Sequence, residues 1–551
     1  MQKIKLSVFV LLFLIPTIQY AQVYNLYWDK AFGGDNRDWN TNIVTAADGS
    51  IYIIGDSQSG ISGNKALPVC ASGISNSDIW LMKVDTAGNI LWQKDLGGDA
   101  DERLPKLVPL NNASKQLLFS CQSSSGVACD KTEPNRDTVP IISTDYWICL
   151  LDSNGTKIWD KTLGGDNYDD YTQIAVLSNG EILVCGESNS DINGDKTVPN
   201  YSISNDYWAV KLDLTGTIIW DKVYGGTGAE FLSSIIPLPN GAFVLAGSTT
   251  SDPSGDVSEP GQGGQDYWMI KVDNAGNKIL DKRLGGSDID KCLNVSPTPD
   301  NGFIFSGYTV SPIGGDVSEA PKGVADYWIV KTDSAGNKQW DKRYGGTLGA
   351  YATCAAPALG GGYWVYGYTN SDAAGDVTQS PYGGSDYWII RTDSAGTRLW
   401  DRRFGGSGNE YSSVFTTLAD SSLLLFGYAD TGVSATKTDF GYGWWDYWMV
   451  KFKYTIIGVG LNETANTLHS FEVVPNPSTG NIQLNYFIDH PGRLSIGIVD
   501  VRGKKCFEKE ITSGSGAHNE ALDLTGLDRG MYFVTIDAEN GERITKKVIL
   551  N

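Results

Sequence analysis

Histidine is scarce in this 551-residue chain. There are three, His469, His490 and His518, so the first 468 residues hold none. That excludes His-based triads and His-ligated zinc from most of the protein. Basic residues are in deficit too, 43 Lys and Arg against 64 Asp and Glu, for a formal net charge of -21. Phosphate binding needs a basic face, so no nucleic-acid partner is expected. Beyond the N-terminal leader no apolar run approaches the ~18 residues that cross a bilayer, and no segment carries a helical period. The chain therefore reads as all-β and not membrane-spanning.

The leader is the first positive signal. Lys3 and Lys5 precede an apolar run from Leu6 to Ile15, Pro16 breaks it, and Ala21-Gln22 offers a small-residue cleavage site. This is the pattern of a secretory signal peptide over residues 1–21. No Cys follows the run, so a lipoprotein anchor there is not supported.

Residues 23–454 repeat one unit. Trp-Asp-Lys-x-x-Gly-Gly, with minor departures, begins at Trp28, Trp92, Trp159, Trp220, Leu280, Trp340 and Trp400. Asp-Tyr-Trp recurs at Asp145, Asp206, Asp266, Asp326, Asp386 and Asp446, and as Asp-Ile-Trp at Asp78. Alternating apolar positions on either side of turns such as Ser-Ala-Gly-Asn make two β-hairpins per unit. Four-stranded antiparallel units repeated seven times predict a seven-bladed β-propeller. The region opens on a lone last strand and closes on a lone third strand. These are expected to pair and close the ring, which an open β-solenoid would have no use for.

Residues present in every unit form rings and read as structural. The repeated Asp braces its strand, the Trp residues pack between blades, and the diglycines allow a tight exit. Strand alternation puts the long loops on one face, and binding groups favour loops on a rigid scaffold. Candidate ligand residues there are Glu102, Asp169, Glu230, Asp290 and Glu410, four residues after each second glycine, with Asp38 equivalent and Ala350 the departure. They read either as a field for cations or basic partners, or as turn chemistry and solubility. The last loop adds Phe440, Tyr442, Trp444 and Trp445, read either as a stacking platform for sugar or protein, or as packing at the ring closure. Ser-Asp-x-x-Gly-Asp pairs, Asp191/Asp195, Asp252/Asp256 and Asp372/Asp376, suit Ca²⁺ in oxygen type, and Asx-turns explain them equally. The longest loop, Ser123 to Thr144, reads as a lid or a plain insertion.

Of eight Cys, Cys149, Cys185, Cys292, Cys354 and Cys506 fit strand cores. Cys70, Cys121 and Cys129 lie in or beside loops, where export permits Cys121–Cys129 or Cys70–Cys129. An enzyme here would have to use carboxylates, Tyr, Lys or Arg, and no acidic pair stands out from the repeat background.

After a polar linker, 455–470, residues 471–551 alternate as a small β-sandwich of nearly balanced charge, nine basic against eleven acidic residues. Its motifs are Pro475-Asn476-Pro477-Ser-Thr-Gly480, Val499-Asp-Val-Arg-Gly503-Lys504, Leu524-Thr-Gly-Leu-Asp-Arg-Gly530-Met-Tyr532-Phe-Val534 and the terminal Lys546-Lys547-Val-Ile-Leu-Asn551. In combination these resemble the type A sorting domain of type IX secretion cargo in Bacteroidota. The resemblance implies passage across the outer membrane, removal of the domain by the system's sortase, and release or attachment to surface lipopolysaccharide. The repeats also look like those common in such cargo, which implies fold only. The expected function is a secreted or cell-surface binding or scaffold module for a glycan or protein. A carboxylate-based carbohydrate-active enzyme and a purely structural surface protein are the alternatives.

Overall fold

The computed structural model describes residues 20–46, 48–70, 76–110, 112–136, 143–430, 432–458, 468–488, 492–500, 504–514, 516–538 and 543–551. The expected leader, up to residue 19, and the linker over 459–467 lie outside the described residues. The chain forms two compact units, with Tyr24–Tyr454 as one and Thr455–Asn551 in the other.

Among the described residues the larger unit holds seven four-stranded antiparallel sheets, here I to VII. Sheet VI shows the pattern: Ala350–Pro357, Tyr363–Thr369, Asp386–Thr392 and Arg398–Phe404, each paired with the next. The inner strands of sheets I to VII are Asp38–Thr45, Glu102–Pro109, Asp169–Val176, Glu230–Pro237, Asp290–Pro297, Ala350–Pro357 and Glu410–Thr417. Each inner strand touches that of the next sheet, and Glu410–Thr417 returns against Asp38–Thr45. This is a β-propeller. Sheet VII is completed by the opening strand Tyr20–Phe32 lying beside Asp446–Gly458. Trp448 Nε1 donates to Asp29 Oδ2 at 3.0 Å across that seam.

The repeat motifs explain the packing. Neighbouring sheets cover both faces of the second and third strands, so Asp386–Thr392 is buried along its length, while the outer strand Arg398–Phe404 is only partly covered. The Tyr of one Asp-Tyr-Trp meets the Trp of the next sheet's motif: Tyr267 and Trp328 centroids lie 4.6 Å apart, Tyr327 and Trp388 4.8 Å, Tyr387 and Trp448 4.8 Å. Each such Trp is fully buried and needs a partner for its indole N–H. The Asp of Trp-Asp-Lys supplies it, as Asp341 does for Trp328 at 3.1 Å and Asp401 for Trp388 at 3.0 Å.

The C-terminal unit has a three-stranded sheet (Leu468–Val474, Asn481–Ile488, Gly516–Asp523) and a four-stranded one (Lys505–Ser513, Gly492–Asp500, Gly530–Ala538, Arg543–Leu550). Their apolar residues, among them Leu484, Ile496, Val534 and Val548, share one core.

Candidate functional site

The acidic residues expected to face a ligand are interior. In every pair but Gly345-Gly346, where Ala350 stands in its place, the acid four residues on accepts the backbone N–H of the second glycine. Gly98 donates to Glu102 at 2.9 Å, Gly165 to Asp169 at 2.8 Å, Gly226 to Glu230 at 3.1 Å, Gly286 to Asp290 at 2.6 Å and Gly406 to Glu410 at 3.0 Å. All five acids have no exposed surface. Burial pushes Asp169 and Asp290 up to about 6, Glu102 to about 7 and Glu410 to about 8. The first glycine lies under the Asp of Asp-Tyr-Trp; a Cβ at Gly345 would come 1.8 Å from Asp326 Oδ1. The solvent-facing acidic rim is thus corrected to a set of internal turn braces.

Each sheet also buries one cation near this turn, from either of two positions. Sheets IV, V and VI use Arg283, Arg343 and Arg403 of the outer strand, bonded to Asp266, Asp326 and Asp386. Their loops carry Val257, Val317 and Val377. Sheets I, II, III and VII carry Lys65, Lys131, Lys196 and Lys437 at that loop position, with Asp95, Thr162, Val223 and Ala31 where the Arg would be. Arg343 Nη1 and Lys196 Nζ reach equivalent carbonyls, Ser311 at 2.6 Å and Ser190 at 2.8 Å.

The calcium candidates are otherwise engaged. Asp195 pairs with Arg136 Nε at 2.7 Å, Asp256 accepts from Tyr201 Oη at 3.0 Å, and Asp376 pairs with Lys322 Nζ at 2.5 Å. In each case the donor belongs to the preceding sheet's loop. Asp191, Asp252 and Asp372 are exposed. Among the described residues no group of three or more His, Cys, Asp or Glu is placed to hold a metal ion. The calcium reading is corrected accordingly: the second carboxylate of each pair ties adjacent loops. A disulfide, Cys70–Cys129, occupies the same slot between sheets I and II, with Cα atoms 6.5 Å apart. Cys121, Cys149, Cys185, Cys292 and Cys354 are free and buried, whereas Cys506, expected in the core, is only partly covered. Of the long loop Ser123 to Thr144, residues 137–142 lie outside the described residues.

The last-loop aromatics separate. Phe440 and Trp444 are 71% and 68% exposed, Trp444 with Arg37 5.5 Å from its centroid. Tyr442 is exposed and lies against Gly63. Trp445 turns inward, 5.7 Å from Tyr411 and 5.5 Å from Tyr428.

Trp445 thereby joins a feature the sequence reading missed. At the long-loop mouth of the central channel, the residue after each inner-strand acid stands opposite a second-strand residue. The seven pairs are Trp39/Asp56, Arg103/Gln122, Asp170/Glu187, Phe231/Ser248, Lys291/Tyr308, Tyr351/Tyr368 and Tyr411/Tyr428. Sheets V to VII make an unbroken aromatic arc: Tyr308–Tyr351 at 5.0 Å, Tyr351–Tyr368 at 5.1 Å, Tyr368–Tyr411 at 5.0 Å and Tyr411–Tyr428 at 5.5 Å. The other side is ionic. Burial pushes Asp56 and Glu187 up to about 7, and Asp170, cross-strand from Glu187, is raised as well. Leu104 and Tyr171 hold positive φ there, 54° and 51°, at bulges in sheets II and III. A cavity of about 370 Å³ beside this half is lined by Lys106, Tyr171, Glu187, Asn205, Phe231 and Lys291, among others. The available signal was variation: these positions differ between units whose neighbours repeat.

In the C-terminal unit the motifs converge. Asn476 Nδ2 donates to the Lys547 carbonyl at 2.7 Å and its Oδ1 accepts from Ile549 N at 3.0 Å, so the Pro-Asn-Pro turn is fastened to the terminal strand. Pro475, Pro477, Lys546 and Lys547 are exposed. Gly480 takes φ +119° with Thr525 against it, Gly530 takes +153°, and buried Tyr532 donates to the Asp528 carbonyl at 2.8 Å. Gly503 lies outside the described residues.

Comparison with known proteins adds the following. Over 406 residues, 72% of its length, the chain is 25% identical to the regulatory protein FlaEY of Caulobacter vibrioides, covering 37% of that protein. A protein of unknown function from Dyadobacter fermentans is 11% identical, with 78% of this chain and 99% of that chain covered and a TM-score of 0.38. The Neurospora crassa Pan2 WD40 domain is 10% identical over 79% and 99%, with a TM-score of 0.39. Residues 472–551 match the secretion system C-terminal sorting domain. This chain is therefore cargo of the type IX secretion system, a β-propeller exported to the cell surface or beyond by its C-terminal sorting domain.

Proposed function

We propose that the protein is a closed seven-bladed propeller with a β-sandwich sorting domain, and that outside the cell it binds carbohydrate at the long-loop mouth of its channel. The observation that carries this is the arc Tyr308, Tyr351, Tyr368, Tyr411, Tyr428 and Trp445. Contiguous half-buried rings rimmed by polar groups suit the apolar faces and hydroxyl edges of sugars. The internal repeat supports the same reading: residues common to all sheets serve the scaffold, and the mouth is where sheets differ. Removal of the sorting domain by the system's sortase, followed by release or attachment to lipopolysaccharide, completes the proposed route.

A glycan array on the mature propeller tests the binding. Wild type is expected to select a neutral oligosaccharide class, and Tyr411→Ala to bind it about tenfold more weakly, a loss of ~1.4 kcal/mol. Equal binding by the variant would remove the mouth as the site. The cross-strand acids Asp170 and Glu187 support one second reading, carboxylate-based glycan hydrolysis. Turnover abolished by Glu187→Gln would establish it, and no turnover on bound glycans would discard it.

A further inference from the structure

Below the mouth, the inner-strand position that faces the channel reads Asn42, Lys106, Gln173, Ser234 and Asn294 in sheets I to V, before giving way to Cys354 and Val414. Three of the five polar residues show their hydrogen-bonding faces unevenly. Asn42 Oδ1 accepts from Leu107 N at 3.4 Å, Asn294 Oδ1 accepts from Ser296 Oγ at 3.2 Å, and Ser234 Oγ accepts from Val295 N at 2.9 Å. Their acceptor atoms are occupied by the scaffold, which leaves the amide NH₂ groups and the hydroxyl proton as donors. Lys106 Nζ has no hydrogen bond or ion pair among the described residues. All of these residues line one cavity of about 480 Å³. Of the other basic groups in the propeller's interior, Arg283, Arg343 and Arg403 have a carboxylate at 2.6–2.9 Å, and Lys131, Lys196 and Lys437 are held by backbone carbonyls and neutral polar side chains.

Glu187 lines the adjoining cavity with Lys106 but makes no ion pair with it among the described residues, and an ammonium without hydrogen bond or ion pair is incomplete: removing it from bulk water is unfavourable unless an acceptor replaces the lost hydration. Burial does depress Lys106 below the ordinary lysine range. A chain of net charge -21 does not favour anions as a whole, so the selection must be local.

We propose that Lys106, with Asn42, Ser234 and Asn294, forms an anion site inside the channel that takes a carboxylate or sulfate group. Where the glycan reading also holds, this names the ligand class as an acidic saccharide whose neutral rings lie on the arc and whose anionic group enters the channel. The site itself does not rest on that reading.

Titration calorimetry with sodium sulfate, against sodium chloride at equal ionic strength, tests it. Wild type is expected to bind sulfate at one site, Lys106→Arg to retain binding within about threefold, and Lys106→Met to lose it by tenfold or more. Lys106→Met removes an unpaired interior charge, so its melting temperature should match or exceed that of wild type, which confirms that it folds. Sulfate heats equal in wild type and Lys106→Met, or absent in wild type, would overturn the proposal. Tyr411→Ala distinguishes the two readings: it should keep sulfate binding and weaken a uronic-acid oligosaccharide. A wild type that binds sulfate and no saccharide would end the glycan reading alone.

Discussion

Arg343 Nε lies 2.6 Å from Oδ2 of Asp326, and neither side chain has any exposed surface. The pair occupies a place that other sheets fill differently, with a loop Lys where sheet V has Val317. Two positions distant in sequence thus alternate so that each sheet carries one interior cation at this place. Arg343→Val leaves Asp326 buried and uncompensated, and should destabilise the propeller by ~3–5 kcal/mol. Adding Val317→Lys to Arg343→Val restores the arrangement of sheet III, where Lys196 stands with Val223, and should recover most of that loss in a denaturant melt. A double variant no more stable than Arg343→Val would refute the exchange.

The interior carboxyls give stability a pH slope. Glu410, Glu102 and Asp446 sit at about 8, 7 and 7, chiefly through burial, well above their unfolded values. Between about pH 4 and pH 8 the folded state holds protons that the unfolded state has released. Stability should therefore fall as pH rises through that window. Groups held low, such as Asp281 and Asp341, act below it, and Lys196, depressed to about 8, acts above it. The propeller has no histidine to confuse the slope. Its denaturation midpoint is expected to be higher at pH 5 than at pH 8, and Glu410→Gln, still able to accept from Gly406 N, should flatten the difference. An equal or higher midpoint at pH 8 would contradict this assignment.

The Cys70–Cys129 bond closes a separation of 59 residues between adjacent sheets, in the slot that Arg136–Asp195 and Lys322–Asp376 fill elsewhere. Cys129 has φ 51°, at the position held by Gly63, Gly194, Gly255, Gly315 and Gly375, all with φ between 55° and 62°. Removing the bond by Cys129→Ser should cost ~2–4 kcal/mol. Cys129→Gly also loses the bond but relieves the left-handed backbone, so it should be less damaging by ~1 kcal/mol. Thermal melts of the two variants would show Ser above Gly if the backbone argument is mistaken.

Much of the scaffold was legible because repetition amplifies it: seven Gly-Gly pairs and seven Asp-x-Trp motifs fix where strands end and which residues form rings. The sorting motifs were legible for a different reason, being terminal and dense. The acids at Glu102, Asp169 and Glu230 admit two readings in the sequence, ligand field or turn chemistry, because a carboxylate in a Gly-rich turn looks solvated in one dimension. Only the fold reveals that glycine N–H groups aim at it from inside. The mouth pairs were invisible because Tyr351 and Tyr368 are 17 residues apart and meet only through the register of two strands. A search for positions that vary between otherwise matched units would have marked both members of each pair, though not that they face each other.

Trp444 and Trp445 are adjacent in sequence and opposite in role. Trp445 lies within 5.7 Å of two arc tyrosines, so its indole extends the platform, whereas Trp444 is 68% exposed and associates with Arg37. Trp445→Ala should weaken binding of the selected oligosaccharide by about tenfold or more, because it removes stacking area and loosens Tyr411 and Tyr428. Trp444→Ala should change it by less than about twofold, since a singly exposed ring at a rim contributes little. Titration calorimetry on the two single variants measures both, with the melting temperature as the control for folding. Should Trp444→Ala prove the more damaging, the ligand would be riding on the loop crest formed with Phe440, and the arc would be a packing feature of the sheet VI–VII junction.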